Sequence, residues 1–145
     1  MPHGDDFDAL QADGVTHVVN CRARMQGFIS QDLWLERVAF GATRVIRAPM
    51  WDSGRSQSPR RWAAAAEWAA RALDADPEAK VLIHCQQGRR RSAMVAYAVL
   101  RLRGQDANEA ARLILTYRPV ARIVPAYRAS VEEWLSRRLG ASAIR

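Results

Sequence analysis

One segment, residues 81–92, constrains the fold of this chain more than any other feature. It reads Val-Leu-Ile-His-Cys-Gln-Gln-Gly-Arg-Arg-Arg-Ser. The apolar start predicts a short buried strand and the residues after Arg91 predict a helix, so Cys85 stands at the mouth of a loop between the two. Successive amides in such a loop, backed by a helix N-terminus, form a nest that binds anions. The segment therefore predicts a phosphate site with a cysteine at its base.

The residues between Cys85 and Arg91 supply the donors of this expected site. Their backbone N–H groups can all turn toward one anion, and Arg91 adds a planar fork that bonds two oxygens at once. Amides, a helix N-terminus and arginine together lower a thiol pKa from about 8.5 into a range of roughly 3.5 to 7.5. We therefore expect Cys85 to act as a thiolate nucleophile rather than as a buried apolar cysteine. The expected phosphate-binding residues are Gln86, Gln87, Gly88, Arg89, Arg90 and Arg91.

The whole chain of 145 residues is long enough for one domain with a substantial core, over 1–145. Strand and helix signals alternate, so we expect an α/β fold with a central, mostly parallel sheet of about four strands flanked by helices. The expected N-caps are Ser30, Ser58 and Asp106, and Gly140 is the expected end of the last helix. Expected strands include 16–20, 43–48 and 81–84, and expected helices are 5–12, 30–38, 58–73, 92–103, 106–117 and 125–139.

Charge and composition limit the kinds of partner and cofactor that we expect for this chain. The formal charge of +7 favours acidic partners, although all 22 basic residues except Lys80 are arginine, which points to bulk composition as the cause. No apolar stretch reaches the ~20 residues that span a bilayer, and the N-terminus lacks a signal-peptide pattern, so we expect a cytoplasmic monomer without a membrane span. The histidines and the two cysteines show no metal-ligand spacing, and therefore no metal or other cofactor is expected.

The pattern His-Cys-x5-Arg-Ser at 84–92 resembles the signature loop of the cysteine-dependent protein tyrosine phosphatases, and the chain around it is most similar to the small dual-specificity members. Residues 14–20 resemble the family's first core strand, 48–52 its general-acid loop and 122–125 the turn into its last helix. The pair of N-terminal strands common in that family has no counterpart, and Ala126 stands where an asparagine is usual. The resemblance implies hydrolysis of phosphomonoesters, on phosphotyrosine and also phosphoserine or phosphothreonine of proteins, through a phosphocysteine intermediate.

The remaining roles follow from chemistry and from this resemblance. Cleavage of a phosphate ester needs an acid to protonate the leaving oxygen. We assign that role to Asp52, which follows a strand and matches the family's acid, with Asp32 as the second choice. Ser92 serves as a helix cap and, by resemblance, as a hydrogen-bond donor to the sulfur. His84 is expected to orient the loop through backbone hydrogen bonds rather than to transfer protons.

Cys21 ends a strand that we expect beside the strand bearing Cys85. This placement brings two thiols to the same edge of the sheet. A disulfide between them requires Cα atoms within about 7 Å and would switch the protein off reversibly. We therefore advance Cys21 as a redox partner of Cys85, with a simple packed cysteine as the alternative.

Other functions stay open at this point. Arg89 and Arg90, with Arg24 on a neighbouring loop, suit a second phosphate and hence phosphoinositides or an RNA 5′ end, although nucleic acid ranks last because no aromatic stripe is present. A rhodanese-like sulfurtransferase and a phosphate-binding module without turnover are further alternatives. Cleft depth depends on how residues 22–30, including Phe28, fold over the site.

Overall fold

The polypeptide folds around three short parallel strands. The computed structural model describes residues 4–144, without the side chains of residues 4, 5, 27 and 28. Strand β1 (His17–Asn20) lies in the middle of the sheet, between β2 (Val45–Arg47) and β3 (Val81–His84). The α/β fold with a parallel sheet is confirmed. The expected number of about four strands is wrong for the described chain, since β2 and β3 are the two edges of a sheet of three strands.

Helices cover both faces of the sheet. In chain order they are α1 (Gly4–Ala12), α2 (Arg24–Ser30), α3 (Asp32–Phe40), α4 (Pro59–Ala75), α5 (Arg91–Leu102), α6 (Ala107–Tyr117) and α7 (Pro125–Ala143), and a 3-10 turn over Ala42–Arg44 precedes β2. In the described part of the chain, none of these helices is both long and apolar enough to cross a membrane.

The alternation of side chains along the strands divides the core in two. Val18 and Leu82 point to one face, where they pack with residues of α1 and α3. Val19 and Ile83 point to the other face, where the larger cluster includes Trp62 of α4 and side chains of α5, α6 and α7. Successive residues of a strand face opposite sides, so a run of apolar residues is what a sheet covered on both faces requires.

The segment after β1 departs from the sequence-based expectation. Residues 24–30 form α2, a helix that the sequence did not predict. The expected helix from Ser30 to residue 38 begins instead at Asp32 and ends at Phe40, because Gln31 adopts a left-handed φ of 53° that separates the two helices. Ser30 does not cap α3 in the expected way, although its hydroxyl donates to Asp32.

Three further helix ends show which of the residues expected to begin or end a helix do so. Asp106 accepts hydrogen bonds from the backbone N–H of Asn108 and of Glu109, as expected for an N-cap. Ser58 makes no side-chain cap hydrogen bond, and Pro59 in the first turn supplies the start of α4 instead. Gly140 does not end the last helix, which continues to Ala143, because this glycine lacks a positive φ.

Candidate active site

The loop after β3 encloses a small polar cavity with Cys85 at its base. The cavity has a volume of about 230 Å³. It brings together most of the residues expected for the site, from two separate loops: Asp52, Cys85, Gln86, Gln87, Arg89, Arg90 and Arg91. Strand β3 ends at His84 and α5 begins at Arg91, so the strand, loop and helix order expected from the sequence is the order that forms this cavity.

The Cys85 thiol is poised to ionise near neutral pH. Burial opposes ionisation, but hydrogen bonds from the Ser92 hydroxyl and from the backbone N–H groups of Ser92 and Gly88, together with the charge of Arg91, lower the pKa of Cys85 to about 7. The Cys85 Sγ lies 3.5 Å from the Ser92 Oγ. A thiolate is stabilised by donors and cations aimed at the sulfur, so this environment favours a nucleophile.

Arg91 is held by hydrogen bonds at its Nη1, whereas its Nε makes none with the described residues. Its Nη1 donates to the Gln26 Oε1 and to the backbone oxygen of Met50, each at 2.9 Å. Its Nε is buried and has no hydrogen-bond partner among the described residues. A buried donor without a partner costs free energy, so this guanidinium is arranged for an acceptor that a bound anion would supply.

Asp52 stands at the cavity on the loop that follows β2. Its Oδ1 accepts a hydrogen bond from the Tyr127 hydroxyl at 2.8 Å and pairs with the Arg90 Nε at 3.3 Å. The same Tyr127 oxygen accepts from the backbone N–H of Gly54, which fixes the loop to α7. Asp32, the second choice for the acid, lies elsewhere: it is buried in contact with Asn20 and Arg22 and does not line the cavity.

His84 bonds to α3 through its side chain and to β1 through its backbone. Its Nε2 hydrogen-bonds the buried Glu36 carboxylate of α3, and its backbone oxygen accepts from the N–H of Cys21 at 2.8 Å. The other Glu36 oxygen accepts from Asn20 Nδ2, which also donates to Asp32. His84 therefore ties the end of β3 to β1 through its backbone and to α3 through its side chain, whereas its expected role in orienting the loop stays a prediction.

The outer side of the loop is supported by two arginines of the segment after α6. Arg118 Nε donates to the backbone oxygen of Gly88, and the N–H of Arg122 donates to the oxygen of Arg89. Gly88 has a φ of +63°, and a Cβ there would lie 2.8 Å from Arg118 Nη2. The backbone conformation favours glycine at this position, whereas the flexible end of Arg118 could move aside for a Cβ.

Cys21 lies on the strand beside Cys85. Asn20 pairs with His84 in the parallel register, so the two cysteines follow paired residues on strands that are typically about 4.8 Å apart. Both are free thiols. Burial, and then the neighbouring Cys85, raise the pKa of the Cys21 thiol well above its ordinary value. The juxtaposition expected from the sequence is present, and the disulfide stays a prediction.

Three polar side chains of the site were missed by the sequence analysis. Gln26 binds Arg91 and also donates to the Gln86 side chain at 2.9 Å. Glu36 holds His84, and Tyr127 holds Asp52. A signal existed only for Tyr127, which follows directly on the 122–125 turn, whereas Gln26 and Glu36 lie in helices with no motif. The side chain of Phe28, considered for the depth of the cleft, lies outside the described residues.

Metal ligation finds no support in the described part of the chain. No group of three or more histidine, cysteine, aspartate and glutamate side chains there is arranged to hold a metal ion. Apart from the Asp52 carboxylate, the charged groups that line the cavity of Cys85 are guanidinium groups, which bind anions rather than cations.

Comparison with solved structures identifies the architecture. The chain is similar to PTPMT1 with a TM-score of 0.78 and 20% sequence identity, over 100% of this chain and 92% of that chain. It is similar to human DUSP28 with a TM-score of 0.70 and 24% identity, over 90% of this chain and 81% of that chain. For the active form of Tk-PTP the TM-score is 0.74 and the identity 24%, over 95% of this chain and 88% of that chain. The chain has the protein tyrosine phosphatase fold.

This fold is the one that the His-Cys-x5-Arg-Ser pattern led us to expect. The match extends along most of the chain of each of these relatives, so the protein tyrosine phosphatase fold accounts for the described elements together. No protein-family model and no curated protein sequence matches the chain. The fold is therefore established by three-dimensional similarity at low sequence identity.

Proposed function

We propose that the protein is a cysteine-dependent phosphatase that hydrolyses phosphomonoesters through a phosphocysteine intermediate. The observation that carries this proposal is the pairing, in one cavity, of a cysteine whose pKa is lowered to about 7 with an arginine whose buried Nε has no partner among the described residues. A thiolate can attack the central atom of a tetrahedral oxyanion, and a guanidinium Nε without a partner can donate to its oxygens. A cavity that only bound phosphate would have no use for the ionised sulfur.

In the first step the Cys85 thiolate attacks phosphorus in line, and the bond between phosphorus and the leaving oxygen breaks. Loop amides and the open edge of Arg91 hold the equatorial oxygens, where the charge of the transition state is stabilised. Asp52 gives its proton to the leaving oxygen, so that an alcohol or phenol departs instead of its anion.

In the second step water attacks the phosphocysteine. Asp52, now a carboxylate, accepts a proton from the water, and the bond between phosphorus and sulfur breaks to release inorganic phosphate. The Ser92 hydroxyl donates to the departing thiolate across the 3.5 Å that separates it from the Cys85 Sγ. Cys85 is again a thiolate and Asp52 again carries its proton, as at the start, so the cycle closes without a cofactor.

The substrate that we propose is a phosphorylated protein, with phosphotyrosine and also phosphoserine or phosphothreonine as the ester. A phosphoinositide is the second candidate. Two features favour it: PTPMT1, one of the structural relatives, has been crystallised in complex with PI(5)P, and Arg89 and Arg90 line the cavity beside the position of the first phosphate. A panel of phosphopeptides and phosphoinositides separates the two candidates by which class the wild type hydrolyses with the higher kcat/KM, and Cys85→Ser should hydrolyse neither.

Leaving-group dependence tests the mechanism. We expect Asp52→Asn to slow hydrolysis of phenyl phosphate, a poor leaving group, by about 100-fold or more, and p-nitrophenyl phosphate much less. Cys85→Ser should abolish both, whereas Asp74→Asn, at an exposed carboxylate of α4, should change neither. Equal effects of Asp52→Asn on the two esters would remove the acid assignment. Activity that survives Cys85→Ser would remove the mechanism, and sulfur transfer to cyanide independent of Asp52 would favour the sulfurtransferase alternative.

A further inference from the structure

Apolar side chains are concentrated on the exposed surface of α2 and α3. Met25 and Ile29 lie one turn apart on α2, and Trp34 and Val38 lie one turn apart on α3. Ile29 is 78% exposed and Trp34 62%. Of the eleven large apolar side chains that are exposed in residues 4–144, five fall between 25 and 38, the fifth being Leu35. Met25, Ile29 and Trp34 line one open groove of about 600 Å³, so these three side chains form a contiguous apolar patch, and Val38 lies one helical turn from Trp34.

Three arginines surround this patch without acidic partners. Arg24 and Arg47 line the groove, and Arg37 is exposed on the same helix as Trp34. None of the three forms an ion pair with a described side chain. Burial, and then the charges of Arg24 and Arg37, lower the pKa of Arg47. Arg24 and Arg37 thus each stand close enough to Arg47 to repel it, and the negative charge of the buried Asp32 offsets part of that repulsion.

The acidic residues nearby are turned away from this surface. Helix α2 contains no acid, and the two acids of α3, Asp32 and Glu36, are buried in the network that reaches His84. Asp6 of the neighbouring α1 and Asp13, just after that helix, line a different cavity, beside β3, and Asp8 of α1 lines neither that cavity nor the groove between α2 and α3. The exposed surface between α2 and α3 therefore carries apolar groups and positive charge together.

We propose that this surface, the α2–α3 face (Met25, Ile29, Trp34 and Val38 with Arg24, Arg37 and Arg47), docks on an anionic lipid bilayer. Acyl chains would cover the apolar side chains while headgroup phosphates bind the arginines. Tryptophan at the boundary of apolar and charged groups is typical of residues that sit at the membrane interface. Affinity of this kind rises with the buried apolar area and with the number of cations at the surface. The helices lie on the bilayer and do not span it.

The α2–α3 face adjoins the cavity of Cys85. Gln26, between Met25 and Ile29 in the sequence, bonds both Arg91 and Gln86 of the phosphate loop. A helix rises 1.5 Å per residue, so Ile29 lies only about 4.5 Å along α2 from this contact. Docking would hold the cavity close to the bilayer surface. That consequence for catalysis rests on the proposed function, whereas docking itself does not.

Vesicle sedimentation tests docking directly. We expect the wild type to sediment with vesicles of phosphatidylcholine mixed with phosphatidylglycerol, and not with phosphatidylcholine alone. Arg24→Glu combined with Arg37→Glu should lower the partition coefficient by at least about tenfold, and Ile29→Ser should lower it several-fold. The matched controls are Arg71→Glu and Leu139→Ser, exposed positions on α4 and α7 at the opposite face of the sheet, and both should bind as the wild type does.

Fluorescence quenching locates the inserted residue. Vesicles with brominated acyl chains should quench the wild-type emission, and Trp34→Phe should remove most of that quenching. Quenching that is undiminished in Trp34→Phe would overturn the proposal. Sedimentation that is unchanged by Arg24→Glu combined with Arg37→Glu would also overturn it. So would a concentration-dependent dimer lost in Ile29→Ser, or an acidic peptide bound in place of vesicles. Hydrolysis of p-nitrophenyl phosphate is measured in parallel, so that loss of the phosphatase activity alone is distinguished from loss of docking.

Discussion

At the scale of single residues, the protonation of Cys85 decides whether the site can act. Two donors from Ser92, its hydroxyl and its N–H, and one from Gly88 offset the cost of burial and lower the pKa to about 7. Because the folded-state pKa lies below the ordinary thiol value, the thiolate fraction rises as pH increases through about 7. Activity should therefore climb over the same interval, until a different group limits the rate.

Replacing Ser92 by alanine tests this balance. Ser92→Ala removes the hydroxyl that donates to the sulfur, so the pKa of Cys85 should rise above 7 toward its ordinary value. The pH dependence of alkylation by iodoacetamide reports the thiolate, and its midpoint should move upward in the variant. Ser136→Ala, on the exposed side of α7, should leave the midpoint where it is. An unchanged midpoint in Ser92→Ala would mean that the hydroxyl contributes nothing to ionisation.

The second residue-scale prediction concerns Cys21. Peroxide converts the Cys85 thiolate to a sulfenic acid, and attack by the Cys21 sulfur then forms a disulfide with loss of water. Because the pKa of Cys21 is raised, this crosslink should form slowly at neutral pH and faster at higher pH. Activity should return with dithiothreitol in the wild type and much less in Cys21→Ser. If mass spectrometry finds no Cys21–Cys85 peptide at any pH, the redox role is wrong.

At the scale of elements, α2 is the helix that completes the site. It presents Gln26 to both Arg91 and Gln86, so the loop after β3 is held by a helix that lies far away in sequence. The sequence predicted the loop because nucleophile, donors and arginine are contiguous. It did not predict α2, since this short helix carries no motif and is stabilised by its contacts with α3 and the loop.

Gln26→Ala measures what α2 contributes. Without the Gln26 Oε1, one hydrogen bond to the Arg91 guanidinium is lost, and kcat/KM should fall by about tenfold, since hydrogen bonds to charged groups contribute roughly 1.5 to 3 kcal/mol. Most of the effect should appear in KM if Arg91 binds phosphate in the ground state. Gln105→Ala, before α6 and away from the loop, serves as the control. A change in kcat/KM of less than twofold would show that Arg91 is positioned by Met50 alone.

At the scale of the whole molecule, a buried polar network joins α3 to the ends of the strands β1 and β3. Glu36 joins α3 to β1 through Asn20 and to β3 through His84. The sequence indicated the sheet, its parallel order and nearly all of the helices, because apolar periodicity and capping residues are local signals. The sequence did not predict the Glu36 network, because the network depends on which polar side chains the packed sheet and α3 bring together.

Glu36→Ala should destabilise the molecule strongly. The substitution leaves the buried His84 without its carboxylate partner and leaves Asn20 with Asp32 as its only acceptor in this network, and breaking a buried pair of this kind costs about 3 to 5 kcal/mol. Urea denaturation should show that loss in the free energy of unfolding. Glu133→Ala, at an exposed pair with Arg137, should cost less than about 1 kcal/mol. Equal effects of the two substitutions would mean that the network contributes little to the fold.

Trapping the covalent intermediate tests the central claim most directly. Wild-type protein is mixed with p-nitrophenyl phosphate, quenched rapidly in acid and digested for mass spectrometry. We expect one phosphoryl group on the peptide that contains Cys85, and none in Cys85→Ser. Full turnover with no phosphorylated Cys85 peptide, or with the phosphoryl group on another residue, would contradict it.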